Sequence, residues 1–379
     1  MIYLDNAATT GKKPQGVIMA VDNALKNMCA NPGRSGHSLS QAVGEMVYKT
    51  REKVAKMFGA DPTHVIFTHN CTESLNFVIK GVLNKGDSVI ISSFEHNACA
   101  RPVFKLFYDG EIECDIAEVI IGDSAATCRS FERLIRDNTK LIICTHASNV
   151  TGEILPIEEL GKICKEKGIL FAVDAAQTAG VLPIDMEKMG IDFLCVAPHK
   201  GLYSPMGTGI LICRKELNKT LIEGGTGTHS NMLTQPDDMP ERLESGTLNI
   251  PGIAGLSAGI DFVNKTSLEK IYKHELMLCK TLFEELSKIK GVKIYSQEPK
   301  EGKTVPVISF AVNGATSMTV GSYLSQKGIA VRAGLHCAPL AHFTLGTQDS
   351  GTVRVSPSAF NTKNDIKELI SVIKSFKIL

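Results

Sequence analysis

The sequence carries almost no net charge: 41 Lys and Arg stand against 40 Asp and Glu, +1 in all. That removes the electrostatic case for a nucleic-acid partner or a membrane surface. No apolar run approaches the roughly 18 residues that a membrane span needs. The start, Met1-Ile-Tyr-Leu-Asp-Asn, has no basic segment ahead of an apolar one, so no signal peptide is expected. The 11 cysteines include no C-x-x-C pair, and no metal site is expected. They are odd in number and scattered, with Cys144, Cys195 and Cys213 inside apolar runs. That pattern suits buried thiols in a reducing compartment, so the cytoplasm is expected. Internal repeats, low-complexity segments and long linkers are missing too.

What is present is a globular composition. The 379 residues are 43% hydrophobic and 21% charged, enough for two domains or one large domain with an appendage. Short apolar runs at 64–68, 88–92, 141–145, 170–173, 193–197 and 209–213 read as buried strands. Helix-like segments separate most of them, including 73–83, 130–137 and 157–167. The fold class is therefore α/β, a mixed, mostly parallel sheet covered by helices on both faces. Past residue 250 the pattern changes to long helices at 251–264 and 267–288. Strands at 292–295, 305–312, 329–332 and 352–355 and helices at 316–327 and 364–376 complete a smaller α+β unit.

Ligands of such sheets bind beyond the carboxyl ends of the strands. This chain collects its polar residues there. Asp174 follows Ile169-Leu-Phe-Ala-Val173, and one strand later His199 and Lys200 enter a Gly- and Pro-rich loop. Taken singly, each has an ordinary explanation: Asp174 as a helix cap, Lys200 as a turn lysine reaching solvent. Together, a buried carboxylate and a strand-end lysine are what a pyridoxal phosphate (PLP) enzyme needs. The lysine forms a Schiff base, and the acid keeps the pyridine nitrogen protonated. Asn70-Cys-Thr72 follows a strand and opens a helix, a place suited to a phosphate. His96 ends the next strand, where an imidazole could stack on a ring. Asn149 and Gln177 could donate to a ring hydroxyl.

That order resembles the class V, fold-type I PLP enzymes, and among them the cysteine desulfurases. The likeness runs nearly end to end, through Tyr3-Leu-Asp-Asn-Ala-Ala-Thr9, Asn31 to His37 (with Arg34), Ser148-Asn149-Val-Thr-Gly, Asp174-Ala-Ala-Gln177, His199-Lys200, Glu244-Ser-Gly-Thr247 and Arg332-Ala-Gly-Leu-His-Cys337. The resemblance implies a large PLP-binding domain over 15–255. It implies a small domain made of 1–14 and 256–379, which carries the catalytic cysteine. It implies that Lys200 holds the cofactor, Asp174 pairs with the ring nitrogen, Gln177 meets the ring oxygen and His96 stacks on the ring. Thr72 and His199 are expected at the phosphate. Thr247 is expected to reach the phosphate of a neighbouring subunit, hence a homodimer. Arg354 is expected to grip the substrate carboxylate, helped by Arg332 and Asn149.

Cys337 separates the possible reactions. It sits in the R-x-G-x-H-C-A motif of desulfurases associated with SUF-type iron–sulfur assembly. Its neighbours His336 and Arg332 would favour thiolate. The implied reaction takes L-cysteine to L-alanine and leaves sulfur on Cys337 as a persulfide for an acceptor protein. A selenocysteine lyase, acting on L-selenocysteine with a selenium acceptor, would use the same residues. A class V aminotransferase with an incidental Cys337 is a further alternative. Three departures point to a side branch of the family. Ala197 stands where a phosphate-binding Ser is usual, with Thr226 or Thr228 as candidate replacements. Leu335 replaces the first His before the cysteine, and Pro357 follows the Arg354 strand.

Overall fold

The computed structural model describes residues 1–32 and 36–376. Arg34 of the 31–37 loop lies outside them. The chain begins with β1 (Ile2–Tyr3), α1 (Gln15–Asn27) and α2 (Ser38–Phe58). Strands and helices then alternate: β2 (Val65–Thr68), α3 (Cys71–Val82), β3 (Ser88–Ser92), α4 (Asn97–Tyr108), β4 (Glu113–Ala117), α5 (Ser124–Glu132), β5 (Thr139–Thr145), α6 (Ile157–Lys167) and β6 (Leu170–Asp174). Two further strands, β7 (Phe193–Val196) and β8 (Gly209–Cys213), close this part. The rest comprises α7 (Ile250–Thr266), α8 (Leu268–Leu286), β9 (Val292–Ile294), β10 (Ile308–Val312), α9 (Ser317–Gln326), β11 (Ile329–Ala330), β12 (Arg332–Gly334), α10 (Pro339–Leu345), β13 (Thr352–Val355) and α11 (Lys363–Ser375). None of the described helices is long and apolar enough to cross a membrane.

The large sheet has seven strands in the order β2-β8-β7-β6-β5-β3-β4. Only β8 runs against its neighbours β2 and β7. The reason is local. The segment from β7 to β8 carries no crossover helix, so β8 returns beside β7 in the antiparallel sense. Apart from the edge strand β4, the strands bury both faces. Phe67, Ile90, Ile142, Phe171 and Val196 point into one apolar cluster. Ile66, Val89, Ile143, Ala172 and Cys195 point into the other. Alternate residues facing opposite layers is the period of a strand covered on both sides.

A smaller sheet, β12-β13-β10-β9, is antiparallel throughout. It packs on α8, α9 and α11 through Leu282, Phe310, Leu324 and Leu369. Leu4 joins that core, and β1 pairs in parallel with β11. The N-terminal segment is thus built into the C-terminal unit.

Some details depart from the sequence pattern: the strand expected at 329–332 is split into β11 and β12, which join different sheets, and the one expected at 305–312 begins at Ile308. The helix expected at 130–137 lies earlier, at Ser124–Glu132, because Asp123 caps it by accepting from the Ala126 N–H. The edge strand β4 was not singled out, because its half-exposed residues lack the apolar run of a buried strand.

Candidate active site

The carboxyl ends of β2, β3, β5, β6 and β7 share one edge of the sheet. A cavity of ≈ 200 Å³ opens there. Thr72, His96, Asn149, Asp174, Gln177, His199, Lys200, Arg332 and Arg354 all line it. Nine of the eleven residues singled out from the sequence therefore meet in one place. Cys337 stands beside it, bonded to Arg332. Thr247 does not reach it; it lines a separate recess with Thr68 and His69.

Lys200 is set by the turn after β7. Its N–H donates to Ala197 O at 3.1 Å, and its carbonyl accepts from the Tyr203 N–H at 3.0 Å. Gly201 lets this turn lie against Gly180: a Cβ on Gly201 would meet Ala179 O at 2.4 Å. Burial pulls the Lys200 ammonium below its ordinary pKa, against the opposing pull of Asp174. A neutral amine is thus within reach, as a nucleophilic lysine requires.

Asp174 ends β6 and is 3% exposed. Burial pushes its carboxyl pKa up. Oδ1 accepts from the Ala176 N–H at 2.8 Å and from the Cys71 thiol at 3.5 Å. Oδ2 has no protein partner among the described residues. Cys71 was missed by sequence reasoning. Its signal was its place beside Thr72 at the start of α3. Burial pushes its thiol well up, so it stays protonated and can donate.

His96 caps α4: its Nδ1 accepts from the Ala98 N–H at 3.0 Å. That leaves the proton on Nε2. Burial, with Lys200, Arg332 and Arg354 nearby, holds the imidazole down to about 4, so it is neutral. His199 is likewise held down to about 4 by burial. Thr72 is the second residue of α3, whose N-terminus Asn70 caps by accepting from the Glu73 N–H. Gln177 donates to Ala7 O at 3.2 Å.

Arg332 and Arg354 are direct cross-strand partners on β12 and β13. Residues opposite each other in an antiparallel pair share a face. Both guanidinium groups therefore face the cavity. Arg354 is fully buried. It donates to Asn149 O at 3.0 Å and to Asp5 Oδ1 at 2.7 Å. Asp5 is a second residue missed from the sequence, 349 positions away. Asn149 also donates to His336 O at 2.8 Å, which ties the cysteine segment to the large sheet. The Asn97 N–H secures Cys337 O at 2.7 Å.

Cys337 is exposed. Arg332 Nη2 lies 3.1 Å from its sulfur. The expectation for His336 is corrected. Its ring is 2% exposed and its Nε2 bonds Thr352. Burial, then Arg354, holds it down to about 2, so it brings no positive charge to the thiol. The candidate phosphate donors Thr226 and Thr228 bond to each other in a loop and do not line the cavity.

The residues present fit PLP. His199 Nδ1 and Arg354 Nε are buried polar atoms without a partner. Buried groups of this kind are normally satisfied, so this set awaits a polar ligand. An amine, a carboxylate, a helix N-terminus and a neutral imidazole suit an aldehyde, a pyridine nitrogen, a phosphate and a ring face.

Comparisons with known proteins give the family. A family model described as aminotransferase class-V matches residues 2–369. A probable cysteine desulfurase of Methanothermobacter thermautotrophicus is 34% identical, over 97% of this chain and 92% of its own. One from Pyrococcus abyssi is 35% identical, over 99% and 94%. The apo structure of a cysteine desulfurase from Thermococcus onnurineus superposes with a TM-score of 0.92 at 33% identity, covering 98% of this chain and 94% of that one. This chain belongs to the class-V aminotransferase family, among its cysteine desulfurases.

Proposed function

We propose that this protein converts L-cysteine to L-alanine and keeps the sulfur as a persulfide on Cys337, for passage to an acceptor protein. One observation carries the reading: an exposed thiol 3.1 Å from Arg332 stands beside the cavity that holds Lys200 and Asp174. A transaminase has no use for a thiol there.

PLP, when bound, supplies an electron sink for negative charge at the substrate α carbon. Lys200 would hold the cofactor and then take the α-proton, a task suited to an amine of lowered pKa. Asp174 would hold the proton of the ring nitrogen. Thr72, His199 and the α3 N-terminus would bind the phosphate, His96 would cover the ring, and Asn149 and Gln177 would serve its oxygen. Arg354 would take the substrate carboxylate in a two-point contact, with Arg332 beside it. The Cys337 thiolate attacks the substrate sulfur. The new S–S bond forms as the Cβ–S bond breaks, its electron pair stays with the carbon fragment, and protonation there gives alanine.

Thr247, which lies outside its own subunit's cavity, would complete the site of a second copy. We assign residues 15–255 to the PLP-binding unit and 1–14 with 256–379 to the smaller one. The many free thiols among the described residues suit the cytoplasm.

The test is product analysis with L-cysteine and L-selenocysteine side by side, wild type against Cys337→Ala. The reading expects alanine and sulfide-yielding persulfide from cysteine, lost in the variant. A wild type that acts on selenocysteine but not cysteine, with turnover retained in Cys337→Ala, would make it a selenocysteine lyase instead.

A further inference from the structure

We propose that Lys13 is a positioning residue for Lys200, acting through the carbonyl oxygen of His199. This rests on the reading of Lys200 as the lysine that holds the cofactor.

Four donors converge on that one oxygen: the Thr10 N–H at 3.2 Å, Thr9 Oγ1 at 3.3 Å, Thr10 Oγ1 at 3.0 Å and Lys13 Nζ at 3.0 Å. A carbonyl offers two lone pairs, so this exceeds what satisfying it requires. The oxygen belongs to the peptide that leads into Lys200. The N–H of the same peptide donates to Ala197 O at 3.1 Å. The unit carrying the Lys200 Cα is thus held at both ends. A lysine side chain has many rotamers, so the direction of its amine is fixed only as well as its backbone is.

Lys13 is costly where it stands. It makes no ion pair among the described residues, and burial pulls its ammonium down to about 8. It sits just ahead of α1, at the positive end of that helix, where a cation is disfavoured. Helix formation therefore does not account for it. Its contacts are Thr10 Oγ1 at 2.5 Å and the His199 carbonyl. The same strap meets the rest of the site: Asp5 binds Arg354 and Ala7 O accepts from Gln177. Residues 5–13 thereby join the carboxylate-binding arginine, the ring-oxygen glutamine and the lysine backbone.

The experiment uses the full chain with bound PLP, as wild type, Lys13→Met, Lys13→Arg and Thr10→Val. Two readouts are taken: the pH midpoint of the cofactor absorbance band, and kcat and KM for cysteine. Lys200 is faced by Asp174, Cys71, His96, His199, Arg332 and Arg354, and Lys13 by Thr10 and His199; these stay unchanged in the Lys13 variants. Lys13→Met should shift the midpoint by about half a unit or more and lower kcat about tenfold, with KM within about threefold. Lys13→Arg should recover much of both. A wild-type midpoint and kcat in Lys13→Met overturn the proposal. If Lys13→Met does not fold, Thr10→Val decides. It keeps the cation but removes both its second contact and the Thr10 Oγ1 bond to the same carbonyl, and a midpoint unchanged in that variant overturns the proposal as well. A wild type that binds PLP while the variants titrate identically sinks this inference alone. A wild type that binds none sinks the reading beneath it too.

Discussion

Arg332 Nη2 lies 3.1 Å from Cys337 Sγ, and Arg332 is also the cross-strand partner of Arg354. One guanidinium therefore touches the Cys337 sulfur, and its neighbour is the arginine proposed to grip the substrate carboxylate. Arg332→Ala should slow alkylation of Cys337 by iodoacetamide at fixed pH, and slow sulfur transfer by about tenfold to a hundredfold, the worth of a charge-assisted contact. Unchanged rates in both assays would mean the contact is incidental.

Cys337→Ala should lose sulfide release from cysteine by more than about a hundredfold, since the thiol found among the described residues lining the cavity, Cys71, is buried and protonated. It should still bind PLP and show an absorbance change when cysteine is added. Full turnover would rule out the persulfide route.

Arg354→Lys keeps the charge but loses the planar fork. KM for cysteine should rise about tenfold or more, with a smaller change in kcat. Steady-state kinetics decide it, and an unaltered KM would move carboxylate binding elsewhere.

Lys200→Ala should bind PLP without a borohydride-reducible linkage and should turn over no amino acid. Mass analysis after reduction checks the first point. Appreciable catalysis would remove Lys200 from its role.

Glu95 is fully buried, and burial pushes its carboxyl from 4.5 up to about 8. Between those values the unfolded chain has released a proton that the folded chain keeps. Stability contributed by this group therefore falls as pH rises through that window, by up to about 1.4 kcal/mol per unit. Glu95→Gln keeps an oxygen for Ser92 and the Thr145 N–H and carries no such titration. Its stability relative to wild type should rise with pH from about 5 to about 8 in urea titrations. A constant difference would show that Glu95 does not titrate in this range.

Much of the site was legible because strand ends are legible. An apolar run that stops on Asp174, and another that stops before His199-Lys200, place those residues on one edge of a parallel sheet whatever the rest does. Arg354 and Cys337 were legible only through the family resemblance. The contacts of the N-terminal strap were not legible. Asp5 and Lys13 look like ordinary charged residues in a polar leader, and their partners lie 349 and 186 positions away. His336 was misread because sequence adjacency says nothing of direction. Positive φ values at His336 (51°) and Cys337 (57°) turn the backbone there. The imidazole goes inward and the thiol outward.

The sequence by itself determined the alternation of buried strands and helices, the polar residues at the strand ends and the placing of Asp174 and Lys200 on one edge of the sheet. These follow from local periodicity and from the rule that binds ligands at those ends. Only the tertiary structure decided which cation meets Cys337, that Asp5 holds Arg354, that Cys71 serves Asp174 and that the first residues of the chain close over the Lys200 turn. Such contacts depend on register between distant strands and on side-chain direction. Neither leaves a periodic trace in the sequence.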